Sequence, residues 1–308
     1  MSETLILHHY DASPYAEKIR LMFGLAGLRW HSVLSPPQPP RPDVDPLSGG
    51  YRRIPIGQVG ADVFCDTFVI AQEVARLADA PELDPERATG DAAEIVARAE
   101  GDVFFAAIGS VAPLTLLGTL LRSVGPLGLV KFALDRAQMM RSAHVTAPQG
   151  DAARAILAAY LEDLDQRLAD RDYLTGATPS IADFAAFHPL WLHVRTGRRP
   201  LDPRHAHVAR WYARIEAFGH GTREEWAPER AFEAARSAKP RPLPAAPGEP
   251  DARIGRRVSV APTDYGTVPV AGTLVAVTPS RCIVARDTDR FGTLHVHFPL
   301  RGFALTEI

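Results

Sequence analysis

The sequence has few cysteines, little net charge and no nucleotide-binding glycine loop, and each shortage excludes something. Its two cysteines, Cys65 and Cys282, stand far apart and in no metal or redox spacing. A disulfide framework is therefore excluded, and a reducing, cytoplasmic location is expected. A net charge of −2 gives no overall attraction to nucleic acid or to an anionic membrane surface. Without a G-x-G-x-x-G or phosphate loop, the usual signs of a nucleotide enzyme are missing.

One uncharged segment is long enough that it could be a membrane-spanning helix. Val103–Leu121 carries no charge over 19 residues, close to the length that crosses a bilayer. It also contains Gly109, Ser110 and Pro113, which interrupt or weaken an apolar helix. We therefore expect a buried pair of helices broken near Pro113, and no association with a membrane.

The first 82 residues alternate between strand and helix signals. Leu5–His9 is a short apolar run, which is typical of a buried strand. Ser13 and Pro14 suit the N-cap and first position of a helix, because Pro14 lacks the N–H that would go unpaired there. A strand at Trp30–Leu34 follows. The order strand–helix–strand predicts a parallel pair of strands.

Three further units follow along the chain. Residues 88–237 show only helical periods and form the predicted all-helical domain, with Thr222–Ser237 as its last helix. Residues 238–252 are rich in proline and predict a linker. Residues 253–308 change to a period of two with spaced glycines, which predicts a small β-barrel-like domain.

Four short motifs resemble those of the glutathione transferases, and they occur in that family's order. They are the first-helix motif Tyr10-x-x-Ser13-Pro14-Tyr15, the segment Tyr51–Ile56 with its proline, the pair Asp66-Thr67 after Cys65, and the capping box Ser180-Ile181-Ala182-Asp183. The resemblance implies an α/β thioredoxin-like N-terminal domain (1–82) plus an all-α helical domain. A small all-β C-terminal domain then follows, outside the resemblance. It also implies glutathione as cosubstrate and, usually, a homodimer.

The resemblance places a catalytic hydroxyl at Ser13. A thiol with a pKa of about 8.5 is a poor nucleophile, so its thiolate has to be stabilised. The Ser13 hydroxyl offers a hydrogen bond to the sulfur, and the N-terminus of the following helix offers a positive dipole end. Tyr10 is the alternative donor, because some members of the family use a tyrosine at the end of the first strand. Ser13 also suits a purely capping role, and the two roles are compatible.

Five residues are assigned to glutathione binding: Arg53, Ile54, Pro55, Asp66 and Thr67. If the Ile54–Pro55 bond is cis, as in the family, the Ile54 backbone can pair with a peptide-like ligand. Thr67 would hold the γ-glutamyl carboxylate at a helix N-terminus, and Asp66 would hold the ammonium group. Arg53, together with Arg52, would meet the glycyl carboxylate. The alternatives are a trans proline, a plain Asp66 cap and solvated arginines.

The electrophile pocket is expected against the helical domain, with Tyr15 and Phe105 in its wall. The expected activity is conjugation of the glutathione thiolate to a small, apolar electrophile, as in detoxifying transferases. A glutathione-dependent isomerase or dehalogenase is an alternative, and so is a non-catalytic binding or scaffold protein.

A histidine pair in the last predicted domain gives no metal prediction. His295 and His297 share one face of a predicted strand, but no third ligand has a suitable spacing. The domain also lacks the aromatic platform and strong basic charge of a nucleic-acid module. We therefore expect neither a metal nor a nucleic-acid partner.

Overall fold

A computed structural model describes residues 3–141, 143, 147–244 and 249–308 of the chain. Residues 1–2, 142, 144–146 and 245–248 lie outside the described residues, and the last group belongs to the predicted linker. Ten strands of the described part form one continuous sheet, and helices pack against it.

The N-terminal part has the predicted thioredoxin-like arrangement. Its elements are β1 (Ile6–His9), α1 (Pro14–Leu25), β2 (Arg29–Leu34), α2 (Asp45–Ser48), β3 (Ile56–Val59), β4 (Asp62–Cys65) and α3 (Thr67–Ala78). β1 pairs in parallel with β2 and antiparallel with β3, which pairs antiparallel with β4. The predicted strand–helix–strand opening is confirmed. Ser13 caps α1, because its side chain accepts a hydrogen bond from the Ala16 amide at 3.2 Å.

The second part is helical, as predicted. Its helices are α4 (Gly90–Glu100), α5 (Asp102–Ser110), α6 (Pro113–Arg141), α7 (Gly150–Arg167), α8 (Ile181–Trp191), α9 (Ala206–Glu216) and α10 (Pro228–Arg236). The predicted capping box at the start of α8 is confirmed. The Ser180 side chain accepts from the Ala182 amide, and the Asp183 carboxylate accepts from the Ser180 amide.

The uncharged segment contributes to two helices rather than to one long span. α5 ends at Ser110 and α6 begins at Pro113, so the predicted break falls at the proline, which cannot continue the helical hydrogen bonds. α6 breaks again at Gly125, whose φ of 69° is not helical. Among the described residues, no helix is both long and apolar enough to cross a membrane.

The predicted helix over Thr222–Ser237 is wrong at its beginning. Thr222–Glu225 forms strand β5, which pairs in parallel with β2 at one edge of the sheet, and α10 begins only at Pro228. The Thr222 amide donates to the Leu28 carbonyl at 2.9 Å. The reason is tertiary: the open backbone of β2 pairs with this polar segment, which has no strand pattern of its own.

Residues 253–308, called here the C-terminal extension, form five strands that continue the sheet. They are β6 (Arg257–Pro262), β7 (Val270–Val277), β8 (Arg281–Thr288), β9 (Gly292–Pro299) and β10 (Phe303–Glu307). The strand order across the whole sheet is β10-β6-β7-β8-β9-β4-β3-β1-β2-β5. The five strands pair antiparallel with one another, whereas β9 pairs in parallel with β4, with Val63 opposite Val296.

The predicted all-β character of the C-terminal part is confirmed, but its strands continue the N-terminal sheet and do not form a separate β-barrel-like domain. The physical reason lies in β4, which would otherwise expose a row of unpaired backbone groups at the edge of the N-terminal sheet. β9 satisfies that edge instead of closing a barrel. The extension also shares a buried cluster with the N-terminal part, in which Tyr51 and Val63 lie with Val296 and Phe298.

Candidate functional site

A cavity of about 310 Å³ lies where three regions of the fold meet. The N-terminal part lines it with residues 53–55 and 66–68, and α4 lines it with side chains between 93 and 100. The extension completes the wall with residues 264–265 and with side chains between 299 and 303. The cavity is therefore composite, and no single domain encloses it.

All five residues predicted to bind glutathione lie in this wall: Arg53, Ile54, Pro55, Asp66 and Thr67. The Ile54–Pro55 bond is cis, as the resemblance implied. In the described part of the chain, neither the N–H nor the C=O of Ile54 has a hydrogen-bond partner. An unpaired backbone donor and acceptor beside a cavity can receive an extended, peptide-like ligand.

Asp66 and Thr67 place charge and hydrogen-bonding groups at the start of α3. Asp66 caps the helix by accepting from the Phe68 amide at 3.0 Å, with a φ of 105° that L-residues rarely adopt. Its carboxylate also accepts from the Tyr51 hydroxyl at 3.4 Å, and Arg53 Nη1 lies 3.8 Å away. Burial raises the pKa of the Asp66 carboxyl, and the Arg53 charge opposes that rise. A carboxylate beside a helix N-terminus suits a ligand group that carries both an ammonium and a carboxylate.

Arg53 is held against the wall by the extension. Its guanidinium pairs with Asp264, donates to the Tyr265 carbonyl at 2.7 Å and lies 4.0 Å from the centre of the Tyr265 ring. Burial acts to lower the pKa of Arg53, but neighbouring tyrosines and carboxylates raise it above its ordinary value, so the side chain stays charged. Arg52 instead pairs with Asp135 of α6 and lies outside the described wall. Of the two arginines considered for a ligand carboxylate, Arg53 is the one at the cavity.

Ser13 and Tyr10 lie outside the described wall. Ser13 is 1% exposed, and its Oγ is engaged with the Ala16 amide as the N-cap of α1. Tyr10 is half-buried, and its carbonyl accepts from the Ser13 amide at 3.1 Å. The capping role of Ser13 is thus observed, while its hydroxyl keeps a proton that it can still donate.

Tyr15 and Phe105, the residues assigned to the substrate pocket, belong to one group of aromatic side chains. Tyr15 lines the cavity, and its ring centre lies 4.5 Å from that of Phe104 and 4.7 Å from that of His188. Phe105 lies outside the described wall but meets Tyr265 edge-on, with ring centres 5.7 Å apart. Burial raises the pKa of Tyr15 and of Tyr265, so both phenols are protonated at neutral pH.

Sequence reasoning missed the wall residues that α4 and the extension contribute. Glu100 of α4 lines the cavity and pairs with Lys18, which is almost fully buried. Tyr265 and Arg301 come from the extension, which lies outside the resemblance. A tyrosine before a glycine in a turn is a common loop pattern, so no local signal could connect it with a site formed by distant residues.

The histidine pair of the extension belongs to the junction between β4 and β9. His297 Nε2 hydrogen-bonds to Asp62 Oδ1 at 2.8 Å, while His295 is paired in register with Asp62. Within the described residues, no group of three or more His, Cys, Asp and Glu side chains is arranged to hold a metal ion.

Two family models match the chain. The glutathione S-transferase N-terminal domain matches residues 7–82, and the glutathione S-transferase C-terminal domain matches residues 143–214. The first range covers the thioredoxin-like part and the second covers α7, α8 and most of α9. The extension lies beyond both.

Proteins similar to this chain include solved structures and a curated relative. A GST-like protein from Pseudomonas syringae is 30% identical, with 98% of this chain and 99% of that chain covered and a TM-score of 0.75. A glutathione S-transferase from Rhodospirillum rubrum is 19% identical, with 70% and 88% covered and a TM-score of 0.48. A probable elongation factor 1-beta of Drosophila melanogaster is 37% identical over 82 residues, which are 27% of this chain and 29% of that protein. This chain therefore spans less than a third of that relative's length.

The similarity to the Pseudomonas syringae protein is the one that decides the family. It runs over 98% of this chain, so it includes the extension as well as the two parts that the family models match. Two features that the sequence motifs implied, the cis bond before Pro55 and the capping box at Ser180, are present in this chain. The chain belongs to the glutathione S-transferase family.

Proposed function

We propose that the chain is a glutathione-dependent transferase, which binds glutathione or another γ-glutamyl thiol and conjugates it to a small, apolar electrophile. One observation carries the proposal. The five residues expected to bind the tripeptide, from Arg53 to Pro55 and from Asp66 to Thr67, line a single cavity of about 310 Å³. Membership of the family supports the same chemistry.

The γ-glutamyl group binds at the start of α3. Thr67 holds its carboxylate with a backbone amide and a hydroxyl, at the positive end of the helix. Asp66 pairs with its ammonium group. The Asp66 side chain is only 22% exposed, so this ion pair is screened less than a surface pair.

The rest of the tripeptide follows the wall toward Arg53. The free N–H and C=O of Ile54, in the segment that precedes β3, pair with the backbone of the extended ligand. Arg53 receives the glycyl carboxylate. Because Asp264 already pairs with Arg53, the ligand carboxylate competes with it for the guanidinium.

The thiol lies near the start of α1 in this arrangement. Ser13 donates its hydroxyl proton to the sulfur while it accepts from Ala16, and the helix N-terminus adds a favourable dipole. The thiol proton leaves to solvent. The thiolate then forms a bond to an electrophilic carbon, and the electron pair of the bond that breaks departs with the leaving group.

A non-catalytic binding protein is the second candidate, and the burial of Ser13 favours it. The Ser13 side chain is 1% exposed and lies outside the described wall. A protein of this kind would bind the same ligand in the same cavity without ionising its thiol.

Calorimetric titration of the full-length protein with glutathione tests the binding step. We expect Asp66→Asn to weaken affinity by about 10-fold to 100-fold, because a charge-assisted interaction of about 1.5–3 kcal/mol is lost. Asp79→Asn makes the same chemical change at the other end of α3, outside the described wall, and is the matched control. Equal affinities of the wild type and Asp66→Asn would contradict the proposal. Titration with other low-molecular-weight thiols identifies the preferred cosubstrate.

Ultraviolet absorbance of the bound thiolate separates the two candidates. A transferase should show thiolate at neutral pH when glutathione is added, and Ser13→Ala should lose this signal. Ser13→Thr, which keeps a hydroxyl and a capping oxygen, is the control. A protein that binds glutathione without any thiolate signal is the second candidate.

We also propose that the chain acts as a homodimer in the cytoplasm. The family resemblance supports the dimer, and the cysteine pattern supports a reducing compartment, since Cys65 and Cys282 are both free and buried. Light scattering of the purified protein measures the oligomeric state.

A further inference from the structure

The turn between β6 and β7 places Tyr265 in the wall of the candidate cavity. Tyr265 lies in the extension, beyond the matches to both family models. Gly266 follows it with a φ of +60°, a conformation that L-residues rarely adopt, and this lets the turn approach Arg52 and Arg53 closely. The position of Tyr265 is therefore set by the backbone of the turn.

Two contacts hold the Tyr265 ring, one from each of the other domains. The Arg53 guanidinium lies 4.0 Å from the ring centre, and its Nη2 also donates to the Tyr265 carbonyl at 2.7 Å. From the helical domain, Phe105 meets the ring edge-on at 5.7 Å between centres. A ring held from two sides presents its hydroxyl in a defined direction.

Three hydroxyl-bearing side chains line the described wall: Tyr15, Thr67 and Tyr265. Thr67 stands at the proposed γ-glutamyl end. Tyr15 and Tyr265 both line the cavity, and Tyr15 follows Pro14 at the start of α1, where the proposed thiol lies. Tyr265 therefore brings a hydroxyl to the sulfur end of the cavity.

The protonation state of Tyr265 suits a donor. Burial raises the pKa of its phenol, while the charge of Arg53 opposes that rise. The phenol keeps its proton at neutral pH, so it can donate a hydrogen bond to an anion without being ionised itself.

We infer that the Tyr265 hydroxyl donates a hydrogen bond to the sulfur of the bound thiol, so that the extension supplies a catalytic residue to the site. The inference rests on the proposed function, because it requires a thiol in the cavity. It gives the extension a part in activating the ligand, in addition to completing the sheet.

Tyr265→Phe in the full-length protein tests this inference, because it removes the hydroxyl and keeps the ring. Two ligands are compared by calorimetry: glutathione and S-methylglutathione, whose sulfur has no proton to lose. We expect affinity for glutathione at neutral pH to fall about tenfold, and the pKa of the bound thiol, read from thiolate absorbance, to rise by about one unit. Affinity for S-methylglutathione should change less than about twofold.

Tyr160→Phe in α7 is the matched control, since its buried hydroxyl has no hydrogen-bond partner in the described structure and lies outside the wall. It should leave both affinities unchanged. If Tyr265→Phe leaves the thiol pKa and both affinities unchanged, the inference is overturned and the proposed function stands. If it weakens both ligands equally, the hydroxyl bonds to another group and the inference is wrong. If the wild type binds no thiol, the proposed function fails and takes the inference with it.

Discussion

The two halves of the ten-stranded sheet are built differently and contribute different groups to the cavity. Strands β1–β5 mix parallel and antiparallel neighbours, whereas β6–β10 pair antiparallel with one another. The first half supplies the backbone and charged groups proposed to bind the ligand, such as Ile54 and Asp66. The second half covers them with Tyr265 and Asp264. The comparison shows how a cavity lined by the N-terminal and helical parts becomes partly enclosed by an addition to the sheet.

The two halves of the sheet are nevertheless joined by backbone hydrogen bonds and by a common hydrophobic core. β9 is hydrogen-bonded to β4, and Phe298 of β9 lies in the same buried cluster as Tyr51 and Ile56. Because the two halves share a sheet and a core, we expect them to unfold as one cooperative unit. A change that destabilises one half should therefore destabilise the other as well.

Phe298→Ala should produce the largest effect. Phe298 is fully buried, and its ring centre lies 5.9 Å from that of Tyr51 in the N-terminal half. Removing it should lower the free energy of unfolding by about 3–5 kcal/mol through lost burial and a cavity. Urea unfolding is followed by tryptophan fluorescence and far-ultraviolet circular dichroism. All four tryptophans precede the extension, so their emission reports on the other parts of the chain.

The two probes should shift together in Phe298→Ala, because the perturbed strand is part of the N-terminal core. Val268→Ala, at an exposed site in the same extension, is the control and should change stability by less than about 0.5 kcal/mol. If the urea midpoint read from tryptophan emission stays at its wild-type value in Phe298→Ala, the extension unfolds independently of the rest of the chain.

A fall in pH should destabilise the first half through His9. Burial, followed by the charges of Arg20 and Arg223, lowers the pKa of His9 from 6.5 to about 3. The folded state therefore excludes a proton that the unfolded state binds below pH 6.5, and stability is lost as the pH falls from there toward 3. Between pH 7 and pH 5 the loss from His9 is about 2 kcal/mol.

Urea unfolding at both pH values measures this loss, with His9→Gln as the comparison. The variant should retain the contributions of other buried histidines and lose that of His9, so its stability should depend less steeply on pH. If the free energy of unfolding depends on pH equally steeply in the wild type and in His9→Gln, His9 does not contribute to that dependence. If the halves form one unit, the circular dichroism and tryptophan signals should move to lower urea together.

Gly266→Ala should have the smallest effect on stability and a selective effect on the site. Its positive φ costs an alanine about 1 kcal/mol, and the new Cβ would lie 3.3 Å from Arg52 Cγ. Gly292→Ala, at the first residue of β9, has a comparable φ of +72° with nothing within 4 Å of the new Cβ. Both variants should lose similar stability, whereas only Gly266→Ala should weaken glutathione binding, because it moves Tyr265. If the two variants bind glutathione with equal affinity, the turn that carries Tyr265 does not contribute to the ligand site.

Features that depend on neighbouring residues could be predicted from the sequence. The caps at Ser13 and Ser180 require a hydroxyl a few positions from the amide that it accepts from, and both are present. The strands of the extension were predicted because their alternation is local. The break at Pro113 follows from the chemistry of a single residue.

Pairings between distant segments could not be predicted in the same way. Backbone hydrogen bonds carry no residue code, so nothing in β4 or β9 identifies the other as its partner. The same is true of β5, whose four polar residues pair with β2. Whether a strand forms was readable in the extension; which edge it joins was not.

The candidate site likewise contains residues that local motifs predicted and residues whose positions depend on long-range packing. Arg53, Ile54, Pro55, Asp66 and Thr67 were found through motifs, and they do meet at one cavity. The near-complete burial of Ser13 and the position of Tyr265 in the cavity wall depend on packing between distant parts of the fold. A short sequence motif contains no information about such packing. Their roles remain predictions that the thiolate measurements decide.

The junction of β4 and β9 has a consequence for synthesis. β4 leaves the ribosome early, but β9 is complete only when the chain has been made as far as Pro299. Until then, Val63 and Phe64 lie in a nascent edge strand that has no partner on that side. Such an edge is a template for pairing between molecules, so a chain interrupted before the extension is an aggregation hazard rather than a smaller working enzyme.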